Sequence, residues 1–340
     1  MRIGFFSSER KHGTSTMRAA WPASWVNRFT NHIAFYYPME CIHDPSYMSE
    51  FLKLDVAVFH KQEVKFPELA KQLHANGCTI IYDTDDWDSN LFDMFYVSGE
   101  VGDVQSYIDQ MVDIADGITV GSMPLLRKYA GSKPCAYIDN AFDTANYHNS
   151  AFDCEYYGDT LKVVYGGGIS HYRDVEMFLR LGVIQQIMSE RQVDFWFYGI
   201  GGEQRKRNYG KGDLFIQHGF PIYSYIEECY MDASLVVAPL VVNEFNECRS
   251  CLKLIEAGFA GLPIVCTDIQ NYRDYIGRDL VTYTDNTAEG WYNAITSLLD
   301  NEEKRKGIGK EHRALVEKYY TAEEMTRQRI EFYEQVRSAK

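Results

Sequence analysis

The chain has 340 residues, 46% of them hydrophobic and 24% charged, proportions that allow a full core and a length that points to two domains. Its net charge of −14 argues against a nonspecific nucleic-acid binder and against docking on anionic lipid. No apolar run approaches ~18 residues, so no membrane span is expected.

The first nine residues, MRIGFFSSE, are too short in their apolar part and too soon acidic for a secretory signal. They read as a first strand, and a cytoplasmic location is expected. Residues 1–28 carry Arg2, Arg10, Lys11, Arg18 and Arg28 against Glu9, a local excess of +4 in an acidic protein. Their loop, 7–15, holds Ser8 and Lys11. It reads either as a solvated loop or as a positive field facing a phosphate-bearing ligand.

Strand-like and helix-like patterns then alternate, which predicts parallel sheets. Strands are expected over 2–6, 33–37, 55–60, 79–83, 117–120 and 135–138, with helices over 16–31, 66–76, 104–115 and 123–129. The strand over 79–83 runs into an acidic knot, Asp83-Thr84-Asp85-Asp86-Trp87-Asp88. Paired carboxylates suit a hard cation, can orient or deprotonate a hydroxyl, or simply build an Asp-rich turn and helix cap. Spacing does not say which aspartate matters. Trp87, Phe92 and Tyr96 beside it are either core or a stacking surface.

Periodicity lapses over 142–159, where a linker is expected. A second series follows, with strands over 161–165, 194–198, 214–217, 235–238, 264–267 and 280–283 and helices over 174–190, 223–231, 249–260 and 287–299. Gly166-Gly167-Gly168-Ile169-Ser170-His171 lies between its first strand and first helix. Glycines let backbone approach a ligand, and a helix start offers free N–H donors. A second glycine cluster, Gly199 to Gly202, leads into Arg205, Lys206, Arg207 and Lys211, where a solvated basic loop is expected.

The segment 243–268, NEFNECRSCLKLIEAGFAGLPIVCTD, carries the sharpest pattern. Placed on one helix, Arg249, Lys253 and Glu256 fall within roughly 60° of each other. Two cations at a helix start oppose its dipole; a bound anion would explain them, as would a plain solvated face. Cys248 and Cys251 form a single CxxC among eight scattered cysteines, which favours buried thiols over a metal site. Residues 302–339 read as a charged helical tail.

On Phe245, Asn246, Arg249, Ser250, Lys253 and Glu256 the segment resembles the donor-binding helix of GT-B glycosyltransferases, especially retaining family 4. The commoner first glutamate of that pattern would fall at Cys248 and is absent. The resemblance is strong over 230–275, moderate over 163–174 through His171 and Asp174, and suggestive over 55–140 through Ala115-Asp116-Gly117-Ile118-Thr119-Val120-Gly121-Ser122. It implies an α/β GT-B fold, two Rossmann-like doubly wound parallel-sheet domains facing across a cleft: 1–150 on the acceptor side, 151–320 holding the nucleotide sugar, and a last helix, 321–340, crossing back to the first. It further implies donor binding by Gly167, Gly168, Ser170, His171, Gly199, Phe220, Asn246, Ser250 and Glu256. Arg249 and Lys253 would neutralise the departing diphosphate, and Ser8, Lys11 and Trp87 would lie on the acceptor side. Asp83, Asp85 or Asp86 would bind or deprotonate the acceptor.

The expected activity is retaining transfer of a sugar from a nucleotide diphosphate, with UDP-sugar the expected donor, no metal and no cofactor beyond this co-substrate. The acceptor is open between a soluble glycan and a hydroxylated DNA base of the kind that bacteriophage enzymes glycosylate. A GT-B nucleotide-sugar epimerase and a non-catalytic sugar-nucleotide binder remain as alternatives.

Overall fold

The computed structural model describes residues 1–7, 13–61, 63, 65–87, 104–131, 133–143, 160–199, 205–217, 225–230 and 232–340. They gather into two compact units: Met1–Asp143 with Glu247–Ser250 and Tyr320–Lys340, and Thr144–Asn246 with Cys251–Tyr319. Ser8, Lys11, Phe92, Tyr96, Phe220, most of the expected linker and Gly201–Gly202 lie outside the described residues.

The first unit is built on six parallel strands: β1 (Arg2–Ser7), β2 (Ile33–Pro38), β3 (Val56–His60), β4 (Thr79–Thr84), β5 (Gly117–Val120) and β6 (Cys135–Tyr137). Their spatial order is β2-β1-β3-β4-β5-β6, so the winding reverses between β1 and β3. The inner strands are buried on both faces because helices cover both. Alternation assigns the faces. Ile3, Phe5, Val56, Val58 and Ile81 pack under the helices Trp21–Phe29 and Ala322–Ser338. Phe6, Ala57, Phe59, Ile80 and Tyr82 pack against Phe66–Ala75, Val104–Ile114 and Met123–Tyr129.

The second unit has seven strands: β7 (Leu161–Gly166), β8 (Val193–Tyr198), β9 (Arg205–Asn208), β10 (Asp213–Gln217), β11 (Leu235–Ala238), β12 (Ile264–Thr267) and β13 (Thr282–Thr284). Their order is β13-β12-β11-β7-β8-β10-β9, parallel except for the edge strand β9. Without β9 this is the dinucleotide-fold order, with its switch point between β7 and β11.

Several expectations are corrected. The helix expected over 174–190 is two, Tyr172–Arg180 and Val183–Glu190, broken where Gly182 takes φ +72°. The solvated loop expected at 205–211 starts as β9, which pairs with β10 through Leu214↔Arg207. A basic edge strand of this kind discourages pairing with other chains. The helix expected over 249–260 is also two, Glu244–Cys248 and Leu252–Phe259. Between them Ser122 Oγ donates to Cys248 O at 2.6 Å, a bond that competes with a continuous helical ladder, and Asn140 Nδ2 donates to Ser250 Oγ at 3.1 Å. Arg249 therefore precedes the helix that carries Lys253 and Glu256 and does not share its face. Phe142, at the start of the expected linker, is fully buried, and its backbone bonds Tyr320 and Ala322. The short helices Met39–His43 and Met48–Phe51 were not expected.

In the second unit the helix Glu302–Tyr319 lies against Leu252–Phe259 at Gly258, where a Cβ would stand 2.5 Å from Val316 Cγ2. His312 is buried there, hydrogen-bonded to Tyr275 Oη at 3.0 Å, and burial pushes its imidazole down to about 4. A histidine held neutral by the fold contributes stability that is complete above its ordinary value near 6.5 and is lost as pH falls toward 4. Relative to His312→Gln, the wild type should therefore lose about 3 kcal/mol between pH 7 and pH 4. Urea titrations across that range check this, and parallel pH profiles for both proteins would contradict it.

Candidate functional site

In the first unit, residues at or one before the ends of four strands form one polar row. Ser7, His60, Asp83 and Thr119 are neighbours in register across β1, β3, β4 and β5. Period two places them on the face of Ile3, Val58 and Ile81, under the helices rather than out at the sheet end. A π-helical turn, Thr16–Ala20, delivers Arg18 into this row. Arg18 grips Asp83 with two hydrogen bonds of 3.1 and 2.6 Å and also donates to Ile138 O at 2.6 Å. His60 Nδ1 lies 3.1 Å from Asp83 Oδ2, and Thr119 Oγ1 donates to Oδ1 at 2.6 Å. Burial alone would raise the Asp83 carboxyl, but Arg18 and His60 outweigh it and hold it well below the usual carboxylate range. Arg329, on the last helix, is buried nearby, and burial together with Arg18 lowers its guanidinium to about 10.

Beyond β4 the environment changes. Lys61 Nζ donates to Asp86 Oδ2 at 2.6 Å and lies 3.3 Å from Asp85 Oδ1. Arg249 Nε approaches Asp86 Oδ1 at 3.6 Å. Ser250 bonds Asn140. Trp87 is half-buried against the core, with Lys128 Nζ 4.3 Å from its ring centroid. Of the three candidate aspartates, Asp83 thus has both oxygens committed inside the sheet, while Asp85 and Asp86 lie in the charged cluster with Arg249. Lys61 and Asn140 were given no role from the sequence, and Arg18 was counted only in the positive excess of residues 1–28, whereas it is buried on Asp83; for Arg18 the alternation of β4 was the available signal.

In the second unit, the loops after β7 and β11 flank the switch point, and Asp174 ties them together. Its Oδ1 accepts from Val241 N at 2.7 Å and Asn246 Nδ2 at 2.9 Å, and its Oδ2 lies 2.9 Å from His171 Nδ1. Asn246 is fully buried and also donates to Val241 O, so it braces the loop. Gly167 is buried with its N–H bonded to Tyr198 O, while Gly168 is exposed and Ser170 half-buried. Gly199 ends β8 with φ +81°. Lys253 stands in the first turn of Leu252–Phe259 and donates to Glu256 Oε2 at 2.8 Å; Tyr230 Oη donates to the same oxygen at 2.6 Å. Glu256 is therefore held by two donors at 1% exposure. Among the described residues no three of His, Cys, Asp and Glu group as a metal-binding set, and Cys248 and Cys251 are free thiols. No helix among them is long and apolar enough to cross a membrane.

Residues 160–301 match the model of the family described as Glycosyl transferases group 1. No curated protein matches the chain. Sucrose-phosphate synthase from Thermosynechococcus elongatus has a similar structure, with TM-score 0.68 and 13% identity over 100% of both chains. HepE of Anabaena, solved in complex with UDP-glucose, gives 0.67 and 12% over 99% of this chain and 100% of that one. A putative UDP-N-acetylglucosamine 2-epimerase from Listeria monocytogenes gives 0.58 and 10% over 97% and 94%. With both sheets wound as described, the chain has the GT-B fold, and its residues 160–301 match a group 1 glycosyl transferase domain.

Proposed function

We propose that this protein is a retaining, metal-independent glycosyltransferase that moves a sugar from a nucleotide diphosphate to an acceptor hydroxyl. The observation that carries the reading is that the family match spans every described donor-side residue from Gly167 to Glu256, among them the Asp174-braced loops at the switch point. The diphosphate would lie at the start of Leu252–Phe259, where the positive end of the helix dipole, Lys253 and Arg249 would offset the charge of the leaving group. Glu256 would serve the ribose hydroxyls while fixing the Lys253 ammonium. The loop Gly167–His171 would lie along the pyrophosphate. UDP-sugar is the proposed donor, supported by the UDP-glucose bound to the similar HepE. Asp85 is proposed for the acceptor side in place of Asp83, whose oxygens Arg18 and its neighbours occupy.

A thermal-shift screen of UDP-, GDP-, ADP- and TDP-sugars tests the donor. The correct one at 100 times its Kd should stabilise the fold by about 2.7 kcal/mol. A flat response to all four classes would remove the proposal. The acceptor is proposed to be a soluble glycan or a hydroxylated base in DNA. The DNA reading requires binding that falls steeply with salt; salt-insensitive transfer to a small sugar excludes it. Similarity to the 2-epimerase favours one second reading, isomerisation of the UDP-sugar itself. Incubation with UDP-sugar alone separates the two: an epimerase yields an isomer, a transferase only slow hydrolysis.

A further inference from the structure

We infer that Asp86 is a positioning residue that aims Arg249, with Lys61 as its counterweight; this rests on the reading of Arg249 as a diphosphate ligand. The geometry is that of a bridged carboxylate. One oxygen of Asp86 takes the Lys61 ammonium at 2.6 Å and the other faces Arg249 Nε at 3.6 Å. A carboxylate with a cation on each oxygen cannot rotate without breaking one pair. Accepting an acceptor's proton would require displacing a cation, which makes Asp86 a poor general base as it stands. The contact at Nε fixes one edge of the planar guanidinium, a group whose fork geometry matches two phosphate oxygens.

Two further observations show that this arrangement is built. Lys61 is one of only two non-glycine residues with positive φ among the described residues, at +61°, and its N–H is pinned to Asp83 O at 2.8 Å. That backbone strain persists only where surroundings over-determine it, and it ends β3 beside the 85–86 turn. Gly121 is the second. A Cβ there would come within 2.8 Å of Asp85 Cβ and 3.7 Å of Ser250 Cβ. The missing side chain lets the acidic turn and the Arg249-bearing segment settle on the end of β5, while Ser122 and Asn140 fix that segment through Cys248 and Ser250. Lys61, Asp85, Asp86 and Arg249 together carry no net charge, so the cluster binds an anion through the direction of Arg249 rather than through excess positive field.

The test is a double-mutant cycle on UDP binding, read by isothermal titration calorimetry to millimolar UDP. Asp86→Asn should weaken UDP about 10-fold when Arg249 is present and less than 2-fold in an Arg249→Gln background. Asp86→Glu should restore most of the affinity, and Lys61→Met should lower it without adding to Asp86→Asn. Unchanged melting temperatures identify the effect as one on the site. Equal losses in both backgrounds, or no loss at all, would overturn the inference. So would tighter UDP binding by Asp86→Asn, which would make Asp86 a competitor of the diphosphate for Arg249. Failure of the wild type to bind any nucleoside diphosphate would instead remove the functional reading beneath it.

Discussion

Asp83→Asn should destabilise the first unit by about 3–5 kcal/mol, the cost of leaving a buried partner charge uncompensated. Arg18 and Asp83 are each 1% exposed, and the row they close includes His60 and Thr119. Removing the anion leaves Arg18 facing Arg329, whose guanidinium is already lowered by that neighbour and by burial. Arg18→Met alone should cost about as much, whereas Arg18→Met with Asp83→Leu should cost clearly less than the two singles combined, because the two charges then leave as a pair. The pH dependence has a defined sign. Asp83 titrates below its ordinary value in the folded state, so its contribution is complete above about pH 4 and is lost as pH falls further. Urea unfolding of the three variants, with wild type and Asp83→Asn repeated at pH 3 and 7, measures this. A single substitution costing under ~1 kcal/mol would show that the ion pair is dispensable.

Lys253→Ala should lower kcat about 10²- to 10³-fold, the range seen when one preorganised group facing developing charge is removed. The ammonium is held by Glu256, itself buried and bonded by Tyr230, so in the proposed reaction it would meet the leaving diphosphate without reorganising. Charge on the leaving oxygen grows in the transition state, so the loss should fall on kcat and on kcat/KM together. Arg249→Lys should also be severely impaired, since a point charge does not replace a planar fork. Steady-state kinetics on the donor found in the thermal-shift screen decide it. A rise in KM with kcat intact would assign Lys253 to ground-state binding only.

The strands of both units, β9 apart, were legible because buried parallel strands are continuous apolar runs bounded by Gly, Asp and Ser, as in β4 and β12. The loop after β7 was legible as a strand-to-helix connection because glycines sit between the two patterns. What escaped the sequence was mostly long-range. The segment at the break, Cys248–Ser250, is held by Ser122 and Asn140, more than a hundred residues away. Helical spacing alone therefore placed Arg249 on a face it does not occupy. The fate of Asp83 could have been read: it lies two residues after Ile81 and so points into the layer under the helices. Lys61 carried no signal, because its meaning lies in a backbone angle and in two aspartates more than twenty residues away.

A crystal structure with UDP bound tests the central claim most directly. The diphosphate oxygens should lie about 2.7–2.9 Å from Lys253 Nζ and from the Arg249 guanidinium, at the first turn of Leu252–Phe259. A diphosphate seated elsewhere, with neither cation touching it, would contradict the account.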